Sequence, residues 1–71
     1  MLNNMMQKYD IIKSSKKLND KVMIGCTGTV LIIYPGFPPA YEVEFVDEMN
    51  QALDVLTVEA NDIVKFCEPD I

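Results

Sequence analysis

Glu42 and Glu44 are the first side chains in this sequence whose type and spacing could do chemistry. Two residues apart on an extended segment, their carboxylates leave the same face about 7 Å from each other, a separation at which one could give a proton while the other takes one. That division of labour needs burial or a close like charge to split their pKa values, and a solvent-facing strand supplies neither. Histidine is absent, which removes the commonest general base and the commonest metal-ligating ring. Cys26 and Cys67 stand far apart with no C-x-x-C spacing, so neither a redox motif nor a zinc site is signalled, and both cysteines are expected to be reduced. Asp47, Glu48, Asn50 and Asp54 gather oxygen donors but lack the D-x-[DN]-x-[DN]-G order of a calcium loop. Gly25, Gly28 and Gly36 do not form the G-x-x-x-x-G-K-[ST] cradle, and read as turn and bulge residues. The chain is therefore expected to have no catalytic residues, no metal and no cofactor.

What remains is recognition. Tyr34, Phe37, Pro38, Pro39 and Tyr41 form an aromatic and proline cluster. Beside a loop, such a cluster builds a groove for an extended peptide; alternatively Phe37 closes the end of the fold and the prolines stiffen the turn. Glu42, Glu44, Asp47, Glu48 and Asp54 offer a negative face that would steer a basic protein toward it, or simply keep a strand soluble. Tyr34, Phe37, Tyr41, Glu42, Glu44 and Asp47 are thus the candidate protein-binding residues. Lys13, Lys16, Lys17 and Lys21 mark a basic loop, the one feature favouring RNA.

Charge weighs against nucleic acid all the same. The net charge is -5, arginine is missing, and the halves are opposed. Residues 1–34 hold five lysines against Asp10 and Asp20, a balance of +3; residues 35–71 hold Lys65 against nine carboxylates, a balance of -8. Phosphate neutralisation by Lys and Arg supplies most non-specific affinity for nucleic acid, and this chain has little to offer.

The elements that must position these groups are short and extended. Seventy-one residues, 49% of them apolar, allow one small domain that buries only about 60% of its unfolded surface. Residues 1–7 read as a loose lead-in and 8–68 as a single domain. Lys8 to Lys13 is the first candidate strand, and Ser14 to Val22 a polar loop anchored by Leu18. The run T-V-L-I-I-Y predicts a central strand, ended by Pro35-Gly36-Phe37-Pro38-Pro39. Its continuous apolarity implies partners on both faces or one unusually sticky face. Tyr41 to Val46 alternates, with Tyr41, Val43 and Phe45 on one side and Glu42 and Glu44 on the other. Asp47 to Gln51 turns the chain into a fourth strand, Leu53 to Val58. E-A-N-D makes one helical turn before a fifth, Ile63 to Cys67.

Five strands, a long first loop and a single helical turn before the last strand predict an all-β fold, a small five-stranded SH3-like barrel. The expected core is Ile11, Leu18, Val22, Val30, Ile32, Val43, Phe45, Leu56, Val58, Ile63 and Val64. No basic-then-apolar leader opens the sequence and no apolar run approaches the roughly 18 residues of a membrane span. An intracellular, cytoplasmic location is expected.

The stretch G-T-V-L-I-I-Y-P-G…A-Y-E-V-E-F-V-D, followed by L-x-V-L-T-V-x-A-x-D-I, resembles a family of small bacterial proteins, frequent in cyanobacteria, known as a domain of unknown function. The likeness runs from Tyr9 to about Phe66. Two departures stand out: Phe37-Pro38-Pro39 lengthens the hairpin loop, and Met49-Asn50 replaces an Asp-Gly-type turn. The resemblance implies an SH3-type barrel related in shape to KOW-like modules, no catalytic residues, and, from members encoded beside toxin-like partners, an antitoxin-like or immunity-like role. The expected function is a non-catalytic protein-interaction module for a basic, toxin-like partner. A KOW-like RNA- or ribosome-associated module and a self-associating structural protein, pairing through Val30 to Tyr34, are the alternatives.

Overall fold

A computed structural model describes residues 6–66. Five strands follow in order: β1 (Ile11–Ser14), β2 (Thr27–Tyr34), β3 (Ala40–Val46), β4 (Ala52–Glu59) and β5 (Ile63–Lys65), with a single 3-10 turn, Ala60–Asp62, before β5. They make one antiparallel sheet in the order β4-β3-β2-β1-β5. The sheet coils into the small SH3-like barrel expected, with the long β1–β2 loop and the 3-10 turn in their expected places. The last strand is shorter than the expected Ile63 to Cys67: β5 closes at Lys65 with Phe66 beyond it, and Cys67 lies outside the described residues.

Alternation along β3 decides which side is inside. Tyr41, Val43 and Phe45 are fully buried, and Glu42 and Glu44 point outward. Val30 faces Val43 and Gly28 faces Phe45 across the β2–β3 ladder, so the inner face of β2 is fixed in turn. Ile12, Met6, Val22, Val58 and Ile63 complete the core, with Leu18, Cys26, Ile33, Leu53 and Leu56 packed around it.

Three expected core residues are exposed instead: Ile11 at 42%, Ile32 at 47% and Val64 at 52%. Each sits beside another β-branched residue, where apolarity reads the same in both phases. In β1, pairing of Ile12 with Gly28 turns Ile12 inward and Ile11 out. In β2 the register shifts between Val30 and Ile32, leaving Leu31 as the extra residue. A bulge of this kind reverses the side-chain alternation beyond it, so Ile33 faces the core opposite Tyr41 and Ile32 faces solvent opposite Glu42. Of the two readings of the central strand, one face is the sticky one.

Of the expected lead-in, only Met6 and Gln7 fall among the described residues. Residues 1–5 lie outside the described residues, but Met6 is buried and Gln7 and Asp10 close a turn: Gln7 N–H donates to Asp10 Oδ2 at 2.8 Å and Asp10 N–H to the Gln7 carbonyl at 3.0 Å. Tyr9 takes φ +71° inside it. That turn occupies Lys8 and Tyr9, which is why β1 starts at Ile11 rather than at Lys8.

The β1–β2 loop, residues 15–26, is pinned at several points. The buried Ser14 hydroxyl donates to the Met23 carbonyl at 2.6 Å and accepts from Cys26 N–H at 3.0 Å. Ser15 N–H donates to the Asp62 carbonyl and its hydroxyl to the Asn61 carbonyl. Asn19 Oδ1 accepts from Lys21 and Val22 N–H groups while its Nδ2 donates to Asp54 Oδ2 at 2.9 Å. A polar stretch thus finds its partners in the fold itself.

Candidate functional site

The outer face of the sheet is continuous from β5 to β4. Cross-strand pairing places Ile11 beside Thr29, Thr29 beside Glu44, and Glu44 beside Val55; the next row sets Ile32, Glu42 and Thr57 side by side, and the last sets Tyr34 against Ala40 and Glu59. Ile11, Ile32, Tyr34 and Val55 are each more than two-fifths exposed. This is a face on which apolar side chains alternate with carboxylates.

Its charge is one-sided. Residues 40–59 carry Glu42, Glu44, Asp47, Glu48, Asp54 and Glu59 and no lysine. Among the described residues, the ion pairs are Lys16–Asp62 at 3.2 Å, Lys17–Asp20 at 3.7 Å and Lys65–Asp10 at 3.3 Å. The β3–β4 carboxylates have no cation in these pairs. Among the described residues Glu42 accepts the Thr57 hydroxyl at 2.8 Å, a neutral partner that orients the carboxylate without discharging it.

The structure disperses the six candidate binding residues. Tyr34 and Phe37 lie at the β2–β3 loop end, with Phe37 projecting free of the protein at 107% exposure. Phe37 therefore does not cap the barrel. Tyr41 is 1% exposed and belongs to the core; its phase along β3, the same as that of Val43 and Phe45, turns it away from Tyr34. Glu42 and Glu44 occupy the middle of the outer face. Asp47 is at the opposite end of β3, where its Oδ1 accepts N–H groups from Met49 and Gln51 at 2.8 and 2.9 Å. It organises the β3–β4 turn, a role that lets Asn50 adopt φ +64° where a glycine would be usual. Asp54 is engaged likewise, by Asn19 and by the N–H of Val55.

Sequence reading missed Ile32 and Val55 as members of this surface. Their alternation with Glu42 and Glu44 across the sheet exists only once the register is known. The basic loop lies at the surface, with Lys16, Lys17 and Lys21 exposed. Lys16 and Lys17 are ion-paired, and Lys13 lies over the Phe66 ring at 5.2 Å.

Among the described residues no group of His, Cys, Asp or Glu is placed to hold a metal ion, and no helix is long and apolar enough to cross a membrane. Cys26 is half-buried and has no disulfide partner among the described residues.

No curated protein and no solved structure matches the chain. Residues 8–65 match a family model described as a domain of unknown function, DUF4926. The match takes in all five strands and the Glu42–Glu44 face, and the chain belongs to that family.

Proposed function

We propose that this domain is a non-catalytic protein-binding module whose outer sheet face receives a basic partner protein. The observation that carries the reading is the Glu42–Glu44 row, flanked by exposed Ile32, Tyr34 and Val55, on a hairpin with six carboxylates and no lysine. Apolar side chains there supply burial on association, and unpaired carboxylates supply steering and select for positive charge. An antitoxin-like or immunity-like inhibitor of a toxin-like enzyme that handles nucleic acid is the specific form we favour, because such an enzyme's own groove must be basic. A cytoplasmic site of action goes with that form.

The test is co-expression with the products of neighbouring open reading frames. A basic product should co-purify, Glu42→Lys/Glu44→Lys should weaken the complex, and added salt should loosen it. A complex indifferent to both the charge reversal and salt would overturn the reading.

A second reading has its own observation. β1 pairs with β2 only over Thr27–Thr29, and Tyr9 and Asp10 close the ladder at Val30; among the described residues no strand lies on that side of Leu31–Tyr34. A second copy pairing there would make a self-associating module, which light scattering over a concentration range would reveal.

A further inference from the structure

A second surface lies at the other end of the sheet from Tyr34 and Phe37. Between the end of the β1–β2 loop and the β3–β4 turn runs an open trough of about 520 Å³, whose apolar lining is Ile24, Cys26, Val46, Met49 and Leu53. Ile24 and Met49 stand exposed at 69% and 79%, while half-buried Cys26, Val46 and Leu53 lie in it, and Cys26 and Leu53 pack against the core. Ile24 and Met49 are thereby left open beside a shallow concavity of mixed apolar and polar lining, available to contact an inserted group. Methionine suits it, since its unbranched side chain can follow the shape of an inserted group.

The walls are held rather than loose. The Ser14 hydroxyl fixes Met23 and Cys26, Ser14 and Cys26 also pair through their backbones, and Asp47 fixes the turn carrying Glu48 and Met49. The charged lining is wholly acidic: Asp47 and Glu48, with no lysine among the residues that form the trough. Among the described residues the trough is open and has no buried polar side chain aimed into it to grip a small molecule, whereas an acidic-rimmed open trough matches a side chain carried by a polypeptide.

We infer that this trough is a second docking point on the same partner, taking an aliphatic side chain flanked by lysine or arginine. The inference rests on the proposed protein-binding role and extends it from one face to two contact points, separated by about 10 Å along β3. The Glu42–Glu44 face supplies the broad electrostatic contact, and the trough supplies an anchor. Anchors of this type dominate interface energetics while the surrounding contacts exclude water.

The experiment uses the isotope-labelled full chain and short synthetic peptides, without any partner protein. One peptide carries leucine flanked by lysines, one replaces the leucine by serine, and one replaces the lysines by glutamates. The lysine–leucine peptide should shift the amides of Ile24, Cys26, Met49 and Leu53, and each of the other two should bind at least about tenfold more weakly. Ile24→Ser and Met49→Ser, both at exposed positions, should cut its affinity about fivefold or more with the melting temperature retained. Glu42→Gln/Glu44→Gln should leave the shifted residues unchanged. Shifts confined to the outer face, equal binding of the serine peptide, or no shift with any peptide would overturn the trough proposal. Because the partner is absent from this titration, either result leaves the co-purification test to decide the wider reading separately.

Discussion

The ring of Phe45 fills the place where its cross-strand neighbour Gly28 has no side chain. A Cβ built on Gly28 would lie 2.9 Å from Phe45 Cδ1 and 2.6 Å from Val43 Cγ1. Glycine is therefore required in the middle of β2 by close approach rather than by backbone conformation, and the aromatic ring covers a backbone that glycine would otherwise leave open.

Gly28→Ala should accordingly destabilise the domain by about 1 to 3 kcal/mol, the usual cost of overpacking a core. Thermal unfolding followed by circular dichroism measures it, at roughly 4 to 8 °C per kcal/mol for a domain of this size. Phe45→Leu in the same chain should recover part of the loss, since it withdraws the clashing ring edge.

Ser14→Ala removes the hydroxyl that joins the Met23 carbonyl to the Cys26 N–H at a buried position. The expected cost is about 1 to 3 kcal/mol, because both groups lose their hydroxyl partner. Hydrogen exchange should show the Cys26 amide losing protection ahead of the β3 amides.

Asn19→Ala should free the β1–β2 loop from β4 by breaking its link to Asp54 and the local turn to Lys21 and Val22. Limited proteolysis should then cut within residues 15–26 faster than in the parent chain, with an equilibrium loss of about 1 kcal/mol.

Phe37→Ala should leave unfolding unchanged to within about 0.5 kcal/mol, as expected for a surface side chain that packs on nothing. A ring closing the barrel would cost about 3 to 5 kcal/mol on truncation. The same variant should weaken partner binding if the β2–β3 loop end touches the partner, which a titration of the purified complex reads directly.

Glu42→Gln/Glu44→Gln should keep the fold, since the Thr57 hydroxyl can donate to an amide oxygen as it does to Glu42. Association with a basic partner should slow, and its dependence on ionic strength should flatten, while dissociation changes less. Stopped-flow mixing at low and moderate salt separates these.

Much of the architecture was legible along the chain. The Tyr41–Val46 alternation announced its own inner and outer faces; Pro35–Pro39 announced the loop before it; and Glu59–Asp62 announced the 3-10 turn, where the Asp62 carboxylate accepts the Glu59 N–H. These are local signals, set by proline geometry, side-chain alternation and reciprocal capping within a few residues. The candidate site was less legible. Among the candidate binding residues, Tyr41 shares the phase of Val43 and is buried, and Asp47 closes the β3–β4 turn through its Oδ1 while its charge stays on the rim of the trough.

What the sequence determined by itself is the number and order of strands, the absence of histidine and arginine, and the opposed charge of the two halves, because composition and short-range pattern suffice for each. Tertiary structure alone decided which of Ile11 or Ile12, Ile32 or Ile33, and Ile63 or Val64 faces the core. Adjacent β-branched residues carry no phase, so the choice falls to ladder register and to the bulge at Leu31, which depend on partners distant in the chain. The same register brings Ile32 and Val55 beside Glu42 and Glu44, and turns a list of acids into a surface.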